Sequence, residues 1–142
     1  ALPCQHVAGI PYAGLPIATA ISLAGNIPLL YARKEIKDYG TRRTIEGRDA
    51  SGERVVLIDD VITDGASKFE AAAPFEAAGL TVRDFVILLD REQGGADRLR
   101  ERGYMLHSAL RITDVLAHLR GQGRLDPALY QRCLDFIAAT RF

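Results

Sequence analysis

The sequence predicts an α/β domain with a mostly parallel sheet flanked by helices, and two observations carry that prediction. Val55-Val56-Leu57-Ile58 is an unbroken apolar run without the alternation expected of a strand that is wet on one face. Such runs belong to strands covered on both sides, as in parallel sheets. Strand-loop-helix units also recur along the chain, over residues 5–24, 55–78 and 82–102. Strands that alternate with helices pair in parallel through crossovers.

Taken in order, residues 5–9 read as a strand, 10–14 as a turn, and 15–24 as a helix with Pro16 near its first position, where a missing N–H costs nothing. That helix is apolar almost all round, which predicts burial against the sheet, and Gly25-Asn26 ends it. Residues 28–32 form the next strand. The segment 33–48 is polar, holds two glycines and lacks a helical or strand period, so it is expected to be a mobile loop. The central strand ends at Asp59 and Asp60. Ser67 followed by Glu70 is a capping-box pattern opening a helix to residue 78, with Pro74 expected to kink or break it and Gly79 to end it. Residues 82–89 make another buried strand, 96–102 a helix and 104–108 a short strand. Thr113 caps a helix to 119 that ends at Gly121, and Asp126-Pro127 caps a last amphipathic helix to 139.

Composition narrows the function classes. The 142 residues suit one domain with a proper core, and 48% hydrophobic with 25% charged residues is ordinary for a globular protein. The formal net charge is zero, which excludes a bulk field recruiting nucleic acid or anionic membrane. No apolar stretch gives a clean membrane span and no secretory signal opens the sequence, so the expected location is the cytoplasm. Cys4 and Cys133 lack zinc-site spacing and are expected to be packing residues. His6 and His118 have no evident partner, and His107 reads as a structural hydrogen-bonder. Of the 18 basic residues only Lys34, Lys37 and Lys68 are lysines. An arginine-biased chain that keeps a compact, deprotonatable ammonium marks those positions for a site.

Chemistry concentrates after the central strand. Asp59 and Asp60 fall at its C-terminal edge, where open α/β sheets bind ligands. The loop Thr63-Asp64-Gly65-Ala66-Ser67 adds hydroxyls, a flexible glycine and a helix N-terminus, which together cradle a phosphate. Carboxylates repel phosphate, so the acids must face sugar hydroxyls, a developing cation or a metal. A sugar phosphate satisfies both halves. The turn 10–14 offers helix-terminal amides to a second anion. Between residues 33 and 48 six cations face three acids, a local excess of positive charge that reads as a lid.

Residues 55–67 resemble the phosphoribosyl pyrophosphate (PRPP) motif of type I phosphoribosyltransferases, with Asp59 and Asp60 as the acid pair and residues 63–67 as the 5′-phosphate loop. The match departs at Asp64, where that family more often has a small neutral residue. Gly9-Ile10-Pro11-Tyr12-Ala13-Gly14-Leu15-Pro16 is similar to the pyrophosphate loop of the orotate enzymes, some of which carry lysine in place of Ala13. Arg33-Lys34-Glu35-Ile36-Lys37-Asp38-Tyr39-Gly40 resembles their catalytic lid, with Tyr39 where many members have His. Leu88-Leu89-Asp90-Arg91-Glu92-Gln93-Gly94-Gly95 is very close to an orotate-site run, also found in enzymes fused into UMP synthase.

The resemblance implies a type I phosphoribosyltransferase fold with its N-terminal hood missing, and an orotate phosphoribosyltransferase of UMP biosynthesis. It implies catalytic roles for Lys34, Lys37, Asp59 and Asp60. Tyr12, Ala13, Arg33, Tyr39, Val61, Ile62, Thr63, Asp64, Gly65, Ala66 and Ser67 join those four as PRPP contacts. Thr63 and Arg91 would meet orotate, the arginine as a bidentate partner of its carboxylate. Mg²⁺ is expected as cofactor, held by PRPP rather than by side chains. A homodimer with a lid shared between subunits, fusion to an orotidine 5′-phosphate decarboxylase, and impaired turnover by this chain alone complete the expectation. A PRPP-sensing regulatory domain and a purine-type phosphoribosyltransferase are the rival readings. The first needs neither the Arg33-Lys34 lid nor Asp90-Arg91.

Overall fold

The computed structural model describes residues 2–33, 44–48 and 51–142. Among them six strands form one sheet: β1 (His6–Gly9), β2 (Leu29–Ala32), β3 (Ile45–Glu46), β4 (Arg54–Ile62), β5 (Thr81–Asp90) and β6 (Met105–Arg111). Their spatial order is β3-β2-β1-β4-β5-β6. Every pairing is parallel except that of β2 with β3. The helices are α1 (Gly14–Gly25), α2 (Ala66–Ala77), α3 (Gly95–Glu101), α4 (Ile112–Gly121) and α5 (Pro127–Ala139).

The two faces of the central strands explain the layering. Val55 and Leu57 point into the larger core with Leu30, Phe75, Phe85 and Leu99, which α2 and α3 cover. Val56 and Ile58 point the other way, into a smaller core with Val7 and Ala18 beneath α1. A strand buried on both faces cannot alternate, which is why 55–58 reads as a continuous apolar run.

Several elements differ from their sequence expectation. The central strand runs on through Asp59 and Asp60 to Ile62, because β5 pairs with it as far as Ile62 opposite Asp90. Helix α1 is apolar but not engulfed: Ala18 is buried, whereas Leu23 is 79% exposed, since the sheet covers only one side of it. Helix α2 passes through Pro74 without interruption. Glu70, whose carbonyl loses its partner there, lies on the exposed side, and the buried Ala72 and Phe75 hold the helix down. Ser67 is not its cap, because the helix opens one residue earlier from Gly65 in the left-handed region (φ 79°). Nor does Thr113 cap α4. Glu92 does so from the β5–α3 loop, its Oε2 accepting from the Thr113 amide (2.9 Å) and hydroxyl (2.6 Å). Within the expected loop 33–48, residues Ile45–Glu46 pair antiparallel with β2.

Other expectations hold. Asn26 ends α1 in the left-handed region (φ 49°). Asp126 caps α5 by accepting from Ala128 N and Leu129 N. His107 is a structural hydrogen-bonder, 2.8 Å from the buried Asp84, which also accepts from Arg54. His6 has a partner after all, Glu53 at 2.5 Å. No described helix is long and apolar enough to cross a membrane.

Candidate active site

The sheet order creates the site. From β1 the chain moves outward to β2 on one side, then returns to place β4 on the other side of β1. The loops leaving the C-terminal ends of β1 and β4 therefore diverge around one crevice, the switch point where parallel sheets take ligands. The Ile10 amide donates to Ile58 O (2.9 Å) and pins the first loop against β4. Contact is closest at Gly14, where an added Cβ would lie 2.3 Å from Ile58 O. The Pro11–Tyr12 peptide in this loop is cis. Helices α1 and α2 start at the two loops with no side-chain cap and no acid in the first turn, so the positive ends of both dipoles lie at the crevice. A cleft of about 310 Å³ opens here, lined among others by Ile10, Pro11, Arg33, Ser67 and Glu70. Arg33 is anchored at its rim by an ion pair with Glu46 of β3.

The two acids are not equivalent. Asp59 is 8% exposed and both its oxygens are engaged: Oδ2 accepts from Lys68 Nζ (2.6 Å) and Oδ1 from the Asp60 amide (2.9 Å). Burial raises its carboxyl above the usual range, and the bonds from Lys68 and the Asp60 amide pull it partly back. Asp60 is half-buried and lies nearer solvent. Lys68 is 4% exposed, on the first turn of α2. The motif resemblance assigns it no role; its scarcity as a lysine was the only signal in the sequence.

Asp64, the outlier in the motif, is explained by two bonds. Its Oδ1 accepts from the Ala66 amide (3.2 Å) and so shapes the turn into α2, while Oδ2 accepts from Arg98 Nη1 of α3 (2.9 Å). The extra charge is thereby paired. Gly95 brings α3 close enough for this contact: its amide donates to Thr63 O (2.9 Å), and a Cβ there would lie 2.6 Å from the same oxygen. Ile62 is 1% exposed, so only its backbone can face a ligand, and its carbonyl already accepts from Arg91 N.

The Asp90–Gly95 run proves to be an anchor as much as a surface. Asp90 Oδ1 accepts from Glu92 N (2.7 Å), Glu92 caps α4, and the buried Gln93 binds Thr140 beyond α5. The exposed Arg91 side chain lines a groove of about 490 Å³ against α4 and α5 with Ile112, Leu129, Arg132 and Phe136. Arg91 and Ser67 therefore line different cavities, although Arg91 N is tied to the end of β4. Of the remaining expected residues, Tyr12 and Ala13 are exposed on the first loop and Val61, Thr63, Gly65 and Ala66 lie on or beside the second. Lys34, Lys37 and Tyr39 fall outside the described residues.

No protein-family model matches the sequence. Among curated proteins, the uridine 5′-monophosphate synthase of Bos taurus is 43% identical over 136 residues, which cover 96% of this chain but 28% of that protein. The orotate phosphoribosyltransferase of Pyrobaculum aerophilum is 35% identical over 136 residues, covering 95% of this chain and 69% of its own. Among solved structures, Leishmania donovani UMP synthase superimposes with a TM-score of 0.87 at 34% identity, over 97% of this chain and 30% of that one. The chain thus spans 28% and 30% of the length of these two UMP synthases and about two thirds of the Pyrobaculum aerophilum enzyme. With the switch-point crevice and its acid pair in a type I phosphoribosyltransferase fold, these likenesses place the chain in the orotate phosphoribosyltransferase family.

Proposed function

We propose that the protein carrying this chain transfers the phosphoribosyl group of PRPP to a ring nitrogen of orotate, giving orotidine 5′-monophosphate and pyrophosphate in UMP biosynthesis. The observation that carries this reading is the pair of anion-ready loops on one crevice, with the acid pair at the end of β4 that leads into the second loop. A sugar bearing phosphate at one end and pyrophosphate at the other spans those loops and sets its hydroxyls near Asp60. As the bond from the anomeric carbon to pyrophosphate breaks, positive charge grows on the sugar, and a nearby carboxylate stabilises it. The helix dipoles favour the anions at either end. Arg33 at the cleft rim supplies positive charge, and by resemblance Lys34 and Lys37 add theirs when the lid closes and excludes water.

Among the described residues no three His, Cys, Asp or Glu side chains converge to hold a metal ion. Mg²⁺ in this reaction would arrive on PRPP's own oxygens and lend charge to the leaving pyrophosphate. A homodimer with a shared lid, a cytoplasmic location and fusion to a decarboxylase belong to the same proposal. The first is checked by light scattering on the full-length protein, where an active monomer would count against it.

The direct test is pyrophosphate release by the full-length protein from PRPP with orotate, hypoxanthine or adenine as acceptor. Only orotate is expected to support turnover; a purine acting in its place moves the chain to the purine enzymes. PRPP binding with no pyrophosphate release for any acceptor would instead favour a PRPP sensor.

The pairing of Asp64 makes a second prediction, with an unusual sign. Arg98→Ala leaves a carboxylate unpaired beside the phosphate loop and is expected to raise KM for PRPP roughly two- to fivefold, the scale of a partly exposed ion pair. Adding Asp64→Asn removes the charge and keeps an oxygen for the Ala66 amide, so the double variant should bind PRPP better than Arg98→Ala alone. Equal KM values for single and double variants would show that Asp64 is felt only by the turn.

A further inference from the structure

We propose that Lys68 is a positioning residue of the phosphoribosyl site, joining the acid end of β4 to the phosphate loop as one bonded unit. The inference rests on the phosphoribosyl-transfer reading above and on three features of the structure.

The first is placement. A cation in the first turn of a helix opposes the dipole, and a lysine is seldom fully buried without a partner. Lys68 sits on the first turn of α2 and is only 4% exposed. Such a position is tolerated because Asp59 lies 2.6 Å from its ammonium.

The second is that the ammonium has two partners. Besides Asp59 Oδ2 it lies 3.3 Å from Ser67 Oγ, to which it donates. Asp59 belongs to the acid pair and Ser67 to the phosphate loop, so one charged group spans the two halves of the cradle. A serine oxygen that accepts from an ammonium keeps its own O–H to donate elsewhere. Ser67 is exposed on the wall of the cleft, where that donor serves a phosphate oxygen.

The third is the state of Asp59. Burial raises its carboxyl, and the hydrogen bond from Lys68 is the largest influence in the opposite direction. Lys68 therefore favours the ionised form of Asp59 and orients it, the other carboxylate oxygen accepting from the Asp60 amide and setting the backbone from which Asp60 projects. Asp60 is the residue poised to touch the sugar. Lys68 acts through its neighbours.

The test uses the full-length enzyme with Lys68→Met, Lys68→Arg and the neutral pair Lys68→Met/Asp59→Asn. Lys68→Met should lower kcat/KM for PRPP by roughly tenfold to a hundredfold, the scale of a small misplacement of catalytic groups. It should also shift the acid limb of the pH profile upward. The sign follows from Asp59: without the ammonium its raised carboxyl rises further, and the ionised form is reached only at higher pH. Lys68→Arg keeps the charge and should return the acid limb toward its wild-type position. If Lys68→Met melts earlier but keeps the wild-type acid limb and KM, Lys68 is a core ion pair only and the proposal falls. Should Lys68→Met fail to fold, the neutral double variant decides. It is expected to have a higher KM for PRPP than Asp59→Asn alone because Ser67 has lost the ammonium that fixes its hydroxyl, and equal values overturn the proposal. Wild-type enzyme inactive with every acceptor would defeat the parent reading instead, a result separate from any of these.

Discussion

Asp60→Asn in the full-length enzyme is expected to lower kcat for orotidine 5′-monophosphate formation by on the order of 10²- to 10³-fold, the scale of losing one well-placed electrostatic group. The reason lies in how unlike the neighbouring acids are. Asp59 is buried with both oxygens held by Lys68 and the Asp60 amide, whereas Asp60 is half-buried at the crevice. An amide keeps the shape and the hydrogen-bonding oxygen but not the charge that offsets a developing sugar cation. Ground-state binding should change little, so KM for PRPP stays within a few-fold while kcat falls. Because a half-buried site away from the core seldom governs folding, the melting temperature should move by no more than about 2 °C. Steady-state kinetics beside a thermal melt would read both. A large loss of stability with kcat preserved would make Asp60 a structural acid.

Gly14→Ala carries the second large effect, and it acts first on the fold. An added Cβ meets Ile58 O at 2.3 Å and Asp59 Cα at 3.2 Å, both of them backbone atoms of the central strand. A side-chain neighbour could rotate away; a strand hydrogen-bonded on both sides cannot. The cost is expected to be about 3 kcal/mol or more, the upper range for overpacking, which lowers the melting temperature by roughly 10 °C. Relief of the clash would push the first loop off β4, so residual folded protein should also lose PRPP affinity. Gly121→Ala is the control. Nothing lies within 4 Å of its added Cβ and its backbone is not left-handed, so it should be neutral or stabilise by up to about 1 kcal/mol. Melting curves of both variants test this, and a Gly14→Ala protein as stable as wild type would mean that the loop and β4 are farther apart than described.

How far the sequence alone reached depended on how local each signal was. Layering, the parallel sheet and the acid-bearing loop were legible because apolar runs and loop chemistry are properties of contiguous residues. Helix starts were less so. Ser67 and Thr113 both look like caps in one dimension, yet α2 opens from a left-handed Gly65 and α4 is capped by Glu92, 21 residues upstream. Pro74 similarly promised a break that buried Ala72 and Phe75 prevent.

What the sequence by itself determined is the type of fold, the order of the site loops and the acid pair, with family membership following from the motifs those loops carry. What only the tertiary structure decided is which side chains meet. Lys68 joins Asp59 to Ser67, Arg98 neutralises Asp64, and Gly14 and Gly95 let loops touch backbone to backbone. These contacts join different elements, or depend on a buried side chain's direction, and spacing along the chain encodes neither. The division has a physical cause. Patterning fixes which face of an element is buried, whereas the partner of a buried charge is chosen by the packing that removes it from water.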